Sequence, residues 1–270
     1  MLFILNTLHG ELISYPDNVP RTGKLISFKS PINDLEESKE RFNNYYSIQY
    51  FKSIISDLFN WIRREERFCF FCDENREQKK FSYSFQAFPI ISFDLDEIVE
   101  YSTKQKLYDS KPKSIKLQDI FNIYSLIEYK LDKEKEKCKF CGNGNLSATY
   151  YIETSPKYFI IVINRKNKLG LTYGNKIELN EEKSKGIHYE YKKYELISVI
   201  MQDGDKWFCS VKNCEYENKG KIEEWIKFQD ENVNNITFEE KKYINIKEIY
   251  DLYNAKILIY KGIKEINNLD

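Results

Sequence analysis

Four of the six cysteines fall into two matched doublets, Cys69-Phe-Phe-Cys72 and Cys138-Lys-Phe-Cys141. A Cys-x-x-Cys spacing brings two thiolates within reach of one ion, and two such pairs make the tetrahedral sulfur set that zinc takes in structural sites. A site with four thiolates has no open coordination position, so its chemistry is to hold the chain and not to react. Gly142-Asn-Gly144 follows the second pair as a turn, and Lys137 and Lys139 beside it would favour ionised thiols. Two other readings of the doublets are scattered buried thiols and a redox dithiol. The twin spacing counts against the first. One motif would suffice for the second, and neither doublet opens a helix. Of the remaining thiols, Cys209 reads as a small buried hydrophobe in an apolar strand and Cys214 as a surface residue. The chain has two histidines, His9 and His188, to act as a base. It carries no phosphate loop, no His-Glu-x-x-His and no dinucleotide fingerprint.

Composition narrows the classes further. The chain has 270 residues, 41% of them hydrophobic and 16% aromatic, enough to bury a sizeable core. Its 42 basic residues balance 42 acidic ones, so no global field draws it to nucleic acid or an anionic membrane. A zinc-ribbon nucleic-acid binder would show a basic cluster around the doublets, and none is present. The apolar start Met1–Leu5 stops at Asn6 without a basic leader, and no window approaches the roughly 20 apolar residues of a membrane span. A soluble intracellular protein, cytoplasmic or nuclear, with reduced cysteines is expected.

The doublets need elements to position them. Residues 2–13 read as a helix with Leu2, Leu5, Leu8 and Leu12 on one stripe, and that apolar face calls for a partner chain. Residues 14–36 read as loop, and 41–62 as an amphipathic helix leading into the first doublet. Phe81, Tyr83 and Phe85 alternate like a half-buried strand, and the extended run continues from Ile90 to Leu95. The charged stretch 96–113 reads as loop, and 114–129 as a helix capped by Ser114 that leads into the second doublet. Lys133–Lys137 and Glu181–Lys185 read as solvated charge. Strands are expected at Tyr150–Glu153, Tyr158–Asn164, Tyr194–Met201, Trp207–Val211, Trp225–Phe228 and Ala255–Tyr260, with a helix near 238–251. Tyr150, Tyr151, Tyr158, Phe159 and Tyr194 are expected in the core or on these strands.

The order of these motifs resembles the ubiquitin-specific protease family of ubiquitin carboxyl-terminal hydrolases. Leu2-Phe-Ile-Leu-Asn-Thr-Leu-His-Gly-Glu-Leu12 is similar to the family's helix ending in Leu-His-Glu-Glu-Leu. Ser53-Ile-Ile-Ser-Asp-Leu-Phe59 resembles its Ser-x-Ile-x-Asp-Leu-Phe. The doublets follow in the family's order, with Ser155–Arg165 resembling its Pro-x-x-Leu-x-x-x-Leu-x-Arg-Phe between the second doublet and the last strands. Tyr194-Glu-Leu-Ile-Ser-Val199, Trp225-Ile-Lys-Phe-Gln-Asp230 and Ala255-Lys-Ile-Leu-Ile-Tyr260 resemble the Tyr-x-Leu-x-x-Val, Trp-x-x-Phe-Asp-Asp and Ala-Tyr-x-Leu-x-Tyr segments. The resemblance implies an α+β, papain-like hand over 1–262. Residual thumb helices would occupy 1–62, zinc-ribbon fingers interleaved with the palm 63–165, the palm sheet 166–262, and a tail 263–270. It implies structural zinc on Cys69, Cys72, Cys138 and Cys141, and ubiquitin as a partner.

The same resemblance locates the family's catalytic positions. The nucleophilic Cys belongs to a Gly-Asn-Thr-Cys-Tyr box upstream of the first helix, which this sequence does not contain, so the N-terminal part of the thumb is expected to be missing. The His belongs where Trp207 stands, followed by a Tyr where Phe208 stands, and the Asp or Asn belongs at Gln229. Indole has no basic nitrogen, so Trp207 cannot take a proton from a thiol. Gly186-Ile-His188-Tyr189 imitates the His motif but precedes the Tyr194 strand, and His9 lies in a motif without catalytic duty. The expected function is a pseudoenzyme, a binding or scaffold subunit of a multi-protein assembly. The alternatives are an active deubiquitinase whose Cys box lies outside this sequence, and the zinc-ribbon nucleic-acid binder.

Overall fold

The computed structural model describes residues 4–5, 7–8, 34–49, 53–74, 81–106, 112–138, 140–180, 189–212, 225–229, 242–244 and 253–264. They form two compact units, the first Met1–Pro89, Ile123–Pro156 and Glu181–Tyr189, the second Ile90–Asn122, Lys157–Asn180 and Glu190–Asp270.

The first unit is built on a four-stranded antiparallel sheet. Its strands are β1 (Trp61–Cys69), β2 (Phe81–Phe88), β5 (Glu128–Lys130) and β6 (Leu146–Thr154), in the order β2-β1-β6-β5. Helix α1 (Leu35–Gln49) begins where the Asp34 carboxylate accepts from the Glu37 amide at 2.8 Å. It is tied to β2 by Phe42 against Phe85 at 5.9 Å and by the Ser38 hydroxyl donating to the Tyr83 carbonyl at 3.0 Å. Helix α2 (Ile54–Phe59) starts in a reciprocal cap between Ser53 and Ser56. The expected helix over 41–62 is therefore two helices and the start of a strand. The Ser53–Ser56 cap makes a fresh helix start in mid-stretch, and the ladder with β2 and β6 claims the chain from Trp61.

The second unit is built on an eight-stranded sheet. Strands β13 (Lys242–Ile244), β12 (Trp225–Gln229), β11 (Lys206–Lys212), β10 (Lys193–Asp203), β14 (Ala255–Ile263), β7 (Tyr158–Asn164) and β3 (Ile91–Asp94) lie in that order, and β9 (Lys176–Glu178) pairs with β10. All neighbours are antiparallel except β3 and β7. Phe159, Tyr194, Leu196, Val199, Leu258 and Tyr260 are fully buried on one face. Trp61 and Trp225 are buried as well, as are Tyr151 of β6 and the other expected core aromatics except the half-buried Tyr150 and Tyr158.

Three further expectations are corrected. The stretch 96–113 contains α4 (Leu95–Lys104), which follows the short helix α3 (Phe70–Glu74) in chain order. The Asp94 carboxylate caps α4 by accepting from the Asp96 and Glu97 amides, and Leu95, Ile98 and Val99 are buried beneath its charged outer face. The stretch 114–129 is not one helix. Strand β4 (Ser114–Lys116) pairs in parallel with β8 (Gly170–Thr172), α5 covers only Leu117–Tyr124, and β5 follows. Within 238–251, Lys242–Ile244 is a strand on β12, and the rest of that expected helix lies outside the described residues. In the last two cases a partner distant in sequence outweighs local propensity. Of the first expected helix, Ile4, Leu5, Thr7 and Leu8 are helical. Leu5 is buried within the chain while Ile4 and Leu8 are exposed, so part of the stripe is already covered. Most of the expected loop 14–36 and all of the charged stretch Glu181–Lys185 lie outside the described residues; Leu35 and Glu36 open α1.

Candidate metal centre and the expected catalytic positions

Both doublets sit at one end of the four-stranded sheet. Cys69 is the last residue of β1, and α3 carries Cys72. The expectation that neither doublet opens a helix is thus corrected for the first, within which α3 begins. Cys138 and Cys141 lie in the connection from β5 to β6, and Cys69 is in register with Leu146. The ladder thus fixes where one doublet meets the other.

Backbone hydrogen bonds shape the second doublet. The Gly142 amide donates to the Cys138 carbonyl at 2.8 Å, and the Cys138 amide to the Asn143 carbonyl at 2.8 Å. The Phe140 amide points at the Cys138 sulfur at 3.4 Å. Gly142 takes φ +72°, the left-handed region that glycine tolerates. At Gly144 a Cβ would lie 2.5 Å from the Lys133 carbonyl oxygen, so the loop closes only with glycine there.

The sulfurs converge. Cys69 Sγ lies 3.7 Å from Cys141 Sγ, and Cys72 Sγ lies 3.7 Å from Cys138 Sγ. All four lie within 4.8 Å of one another. Four sulfurs around an ion at the zinc–thiolate distance of about 2.3 Å stand about 3.8 Å apart, so the set fits a tetrahedral metal. A disulfide needs sulfurs about 2.05 Å apart, which this spacing is not. Cys69, Cys72 and Cys138 are buried with Leu146, and Cys141 is exposed.

Electrostatics point the same way. Burial, then the neighbouring thiols, pushes Cys72 up to about 12, and burial pushes Cys69 up. The Asn143 amide holds Cys141 below the usual thiol range. Burial, backbone donors and the neighbouring thiols cause these shifts, and Lys139 lies outside the described residues. Without a cation Cys69 and Cys72 keep their protons, and a metal ion displaces them.

The charged run beside the doublet is more than solvated surface. Glu136 accepts from Arg67 at 2.8 Å, and Arg67 also donates to Glu65 at 2.9 Å, which ties the cysteine loop to β1. The alternating charges of 133–137 carry that signal only when the arginine across the sheet is known.

Trp207, Phe208 and Gln229 fall on two neighbouring strands of the eight-stranded sheet. The β10–β11 hairpin turns through Gly204-Asp205, with Gly204 at φ +58°, as a two-residue loop with glycine first requires. Trp207 follows on β11 and is 47% exposed. Phe208 is in register with Gln229 on β12, so positions 207 and 229 stand one step apart on adjacent strands. Lys227 lies 4.4 Å over the Phe208 ring. Cys209 is half-buried, not buried, with its sulfur 3.6 Å from the Ser198 hydroxyl. His9, His188 and Cys214 lie outside the described residues.

Comparison with known proteins accords with this architecture. The sequence profile of the ubiquitin carboxyl-terminal hydrolase family matches residues 1–260, and the chain belongs to that family. No curated protein matches it in sequence. Among solved structures, a Ubp8/Sgf11/Sus1/Sgf73 deubiquitinating module of SAGA with a truncated Sgf11 aligns at TM-score 0.57 and 16% identity, over 98% of this chain and 49% of that one. The SAGA module bound to monoubiquitin aligns at TM-score 0.54 and 13% identity, over 86% and 48%. The yeast SAGA module with an Sgf73 variant aligns at TM-score 0.53 and 16% identity, over 87% and 47%. The chain thus spans about half the length of the solved chains it matches. At these identities the likeness is one of fold.

Proposed function

We propose that this chain is a non-catalytic member of its family, a binding or scaffold subunit of a multi-protein assembly. One observation carries the reading. The positions that the family needs as His and as Asp or Asn stand one step apart on β11 and β12, and they hold Trp207 and Gln229. An indole cannot accept a proton from a thiol, and a neutral amide cannot stabilise an imidazolium by charge. The argument does not depend on where the nucleophile would lie.

In this reading the four-stranded sheet is the fingers, the eight-stranded sheet is the palm, and the hand spans 1–262. The four thiolates hold zinc structurally, a closed set that fits the sulfur spacing. Ubiquitin is the first candidate ligand, because binding needs only a complementary surface while catalysis needs the triad as a unit. Related solved modules contain monoubiquitin or ubiquitin aldehyde together with further subunits, which supports a multi-subunit setting. The exposed Ile4, at 60%, and Leu8 are where a partner subunit would complete the first helix. The competing reading is an active deubiquitinase.

A ubiquitin derivative with an electrophilic C-terminus separates the two. The proposal expects no covalent adduct with the metal-loaded chain, alone or in its native assembly. A thiol adduct blocked by alkylation would overturn it. A ubiquitin titration on the same sample then tells a ubiquitin-binding subunit from a purely structural one.

A further inference from the structure

The four clustered cysteines do not share one environment. Cys69, Cys72 and Cys138 are buried, and Cys141 is exposed. A closed set of four thiolates bars a substrate from the metal. It does not shield the lone pairs of a sulfur that faces solvent, and cysteine oxidation follows exposure. Cys141 also sits where the chain can yield. It lies in the connection from β5 to β6, between Phe140, which is 37% exposed, and Gly142, at which an added Cβ would meet nothing within 4 Å among the described residues. Cys69, by contrast, ends β1 and is held in the ladder opposite Leu146.

Two sulfur pairs at 3.7 Å run from one doublet to the other, Cys69 with Cys141 and Cys72 with Cys138. The first pair has an exposed member, and in the second both members are buried. Closing the first to the disulfide length of about 2.05 Å asks the two sulfurs to approach by about 1.7 Å, which the loop around Cys141 can supply. The bond would join residues 72 apart in the chain and so cross from β1 to the second doublet. A bond inside one doublet would leave β1 and the β5–β6 connection without a tie.

We propose that Cys141 is the reactive sulfur of a peroxide-responsive switch, in which oxidation joins Cys141 to Cys69 and releases the metal while the two doublets stay tied. The Cys141 sulfur attacks one oxygen of hydrogen peroxide. The S–O bond forms, the O–O bond breaks and hydroxide leaves. The Cys69 sulfur then attacks the Cys141 sulfur. The S–S bond forms, the S–O bond breaks and a second hydroxide leaves. From the metal-bound thiolates, two protons taken from solvent turn both hydroxides into water. The sulfurs lose two electrons and the peroxide gains them. A metal deprived of two of its four ligands departs as a divalent cation. The buried pair Cys72 and Cys138 closes only afterwards. The inference rests on the reading of the doublets as a zinc site, and the two can fail separately.

The test uses the full chain carrying Cys209→Ser/Cys214→Ser, which keeps all four ligands and removes the other thiols. It is loaded with zinc and treated with hydrogen peroxide. Released zinc is followed with a chromogenic indicator, and linkages are mapped by alkylation and mass spectrometry. The first phase is expected to lose one zinc and two free thiols per chain, with Cys69–Cys141 as the main linkage. Dithiothreitol should restore both thiols and zinc uptake. Hydrogen exchange of β1 and β6 should stay slower in the oxidised chain than in the reduced chain stripped by a chelator. A chain that takes up no zinc before oxidation overturns the zinc reading and this inference with it. A loaded chain that keeps its zinc under excess peroxide, or whose first linkage is any other pair, overturns the inference alone. Exchange as fast as that of the stripped chain does the same. Should the double variant fail to fold, the same mapping on the parent chain decides.

Discussion

The four-stranded sheet buries a cluster of charged side chains alongside its apolar ones, whereas the eight-stranded sheet buries mainly apolar ones. The eight-stranded sheet encloses Phe159, Ile161, Leu196, Val199 and Leu258 on one face, with aromatic contacts such as Phe159–Tyr194 at 4.9 Å. The four-stranded sheet encloses Arg64, Glu65, Glu66 and Glu153, each 4–6% exposed. Arg64 donates to Glu153 at 3.1 Å and lies 4.6 Å over the Tyr151 ring, Lys39 of α1 bridges to Glu153 at 2.8 Å, and Ser84 donates to Glu65 at 3.0 Å. Apolar burial stabilises by roughly 25 cal/mol for each Å² removed from water. Buried ion pairs come close to breaking even, because desolvation offsets their attraction. A sheet built on such pairs gains geometry more than stability, and it is at the far end of this sheet that the four cysteines able to hold a metal ion converge.

The comparison can be broken in stages. The largest effect is expected from the metal. Structural zinc contributes about 10–16 kcal/mol in small isolated domains. Cys138→Ser or a strong chelator should release the ion and open β1 and β6, while β10 and β14 keep their protection. Hydrogen exchange by segment with parallel metal analysis checks this, and simultaneous opening of both sheets would break the comparison. Because burial raises Cys69 and Cys72, the metal must displace protons, so its affinity should rise with pH across the neutral range and its binding should acidify a weakly buffered solution.

Next comes Glu153→Ala, which takes from buried Arg64 the nearer of its two carboxylates, Glu66 remaining at 3.5 Å, and should cost about 3 kcal/mol in a denaturant titration. Replacing Arg64 and Glu153 together by Met should recover most of that loss, which would sharpen the claim that the pair sets geometry. In the larger sheet the sensitive direction is overpacking. A Cβ at Gly262 would meet the Tyr191 ring at 2.5 Å, so Gly262→Ala should cost about 1–3 kcal/mol by thermal melting. The smallest effect is expected from Asp94→Ala, which removes the α4 cap and should cost about 1 kcal/mol in the same measurement.

The sequence revealed the two regions unequally. Strands β7, β10, β11, β12 and β14 were legible because continuous apolar runs of β-branched and aromatic residues, bounded by turn residues, have few other uses. The cysteine spacing made the metal ligands legible without any fold. Helix α4 was hidden because its solvent face is charged and its buried stripe is short. The ion cluster of β1 was hidden because Arg64, Glu65 and Glu66 read as surface until β6 and α1 supply their partners.

Sequence alone determined the four-cysteine set and the main strands, since each is a matter of residue type and local spacing. Tertiary structure alone decided which sheet each strand joins and where the helices of 35–59 and 95–124 begin and end. Those outcomes depend on pairing between residues far apart in the chain, where the free energy of a ladder or a buried contact exceeds the few tenths of a kcal/mol by which local propensities differ.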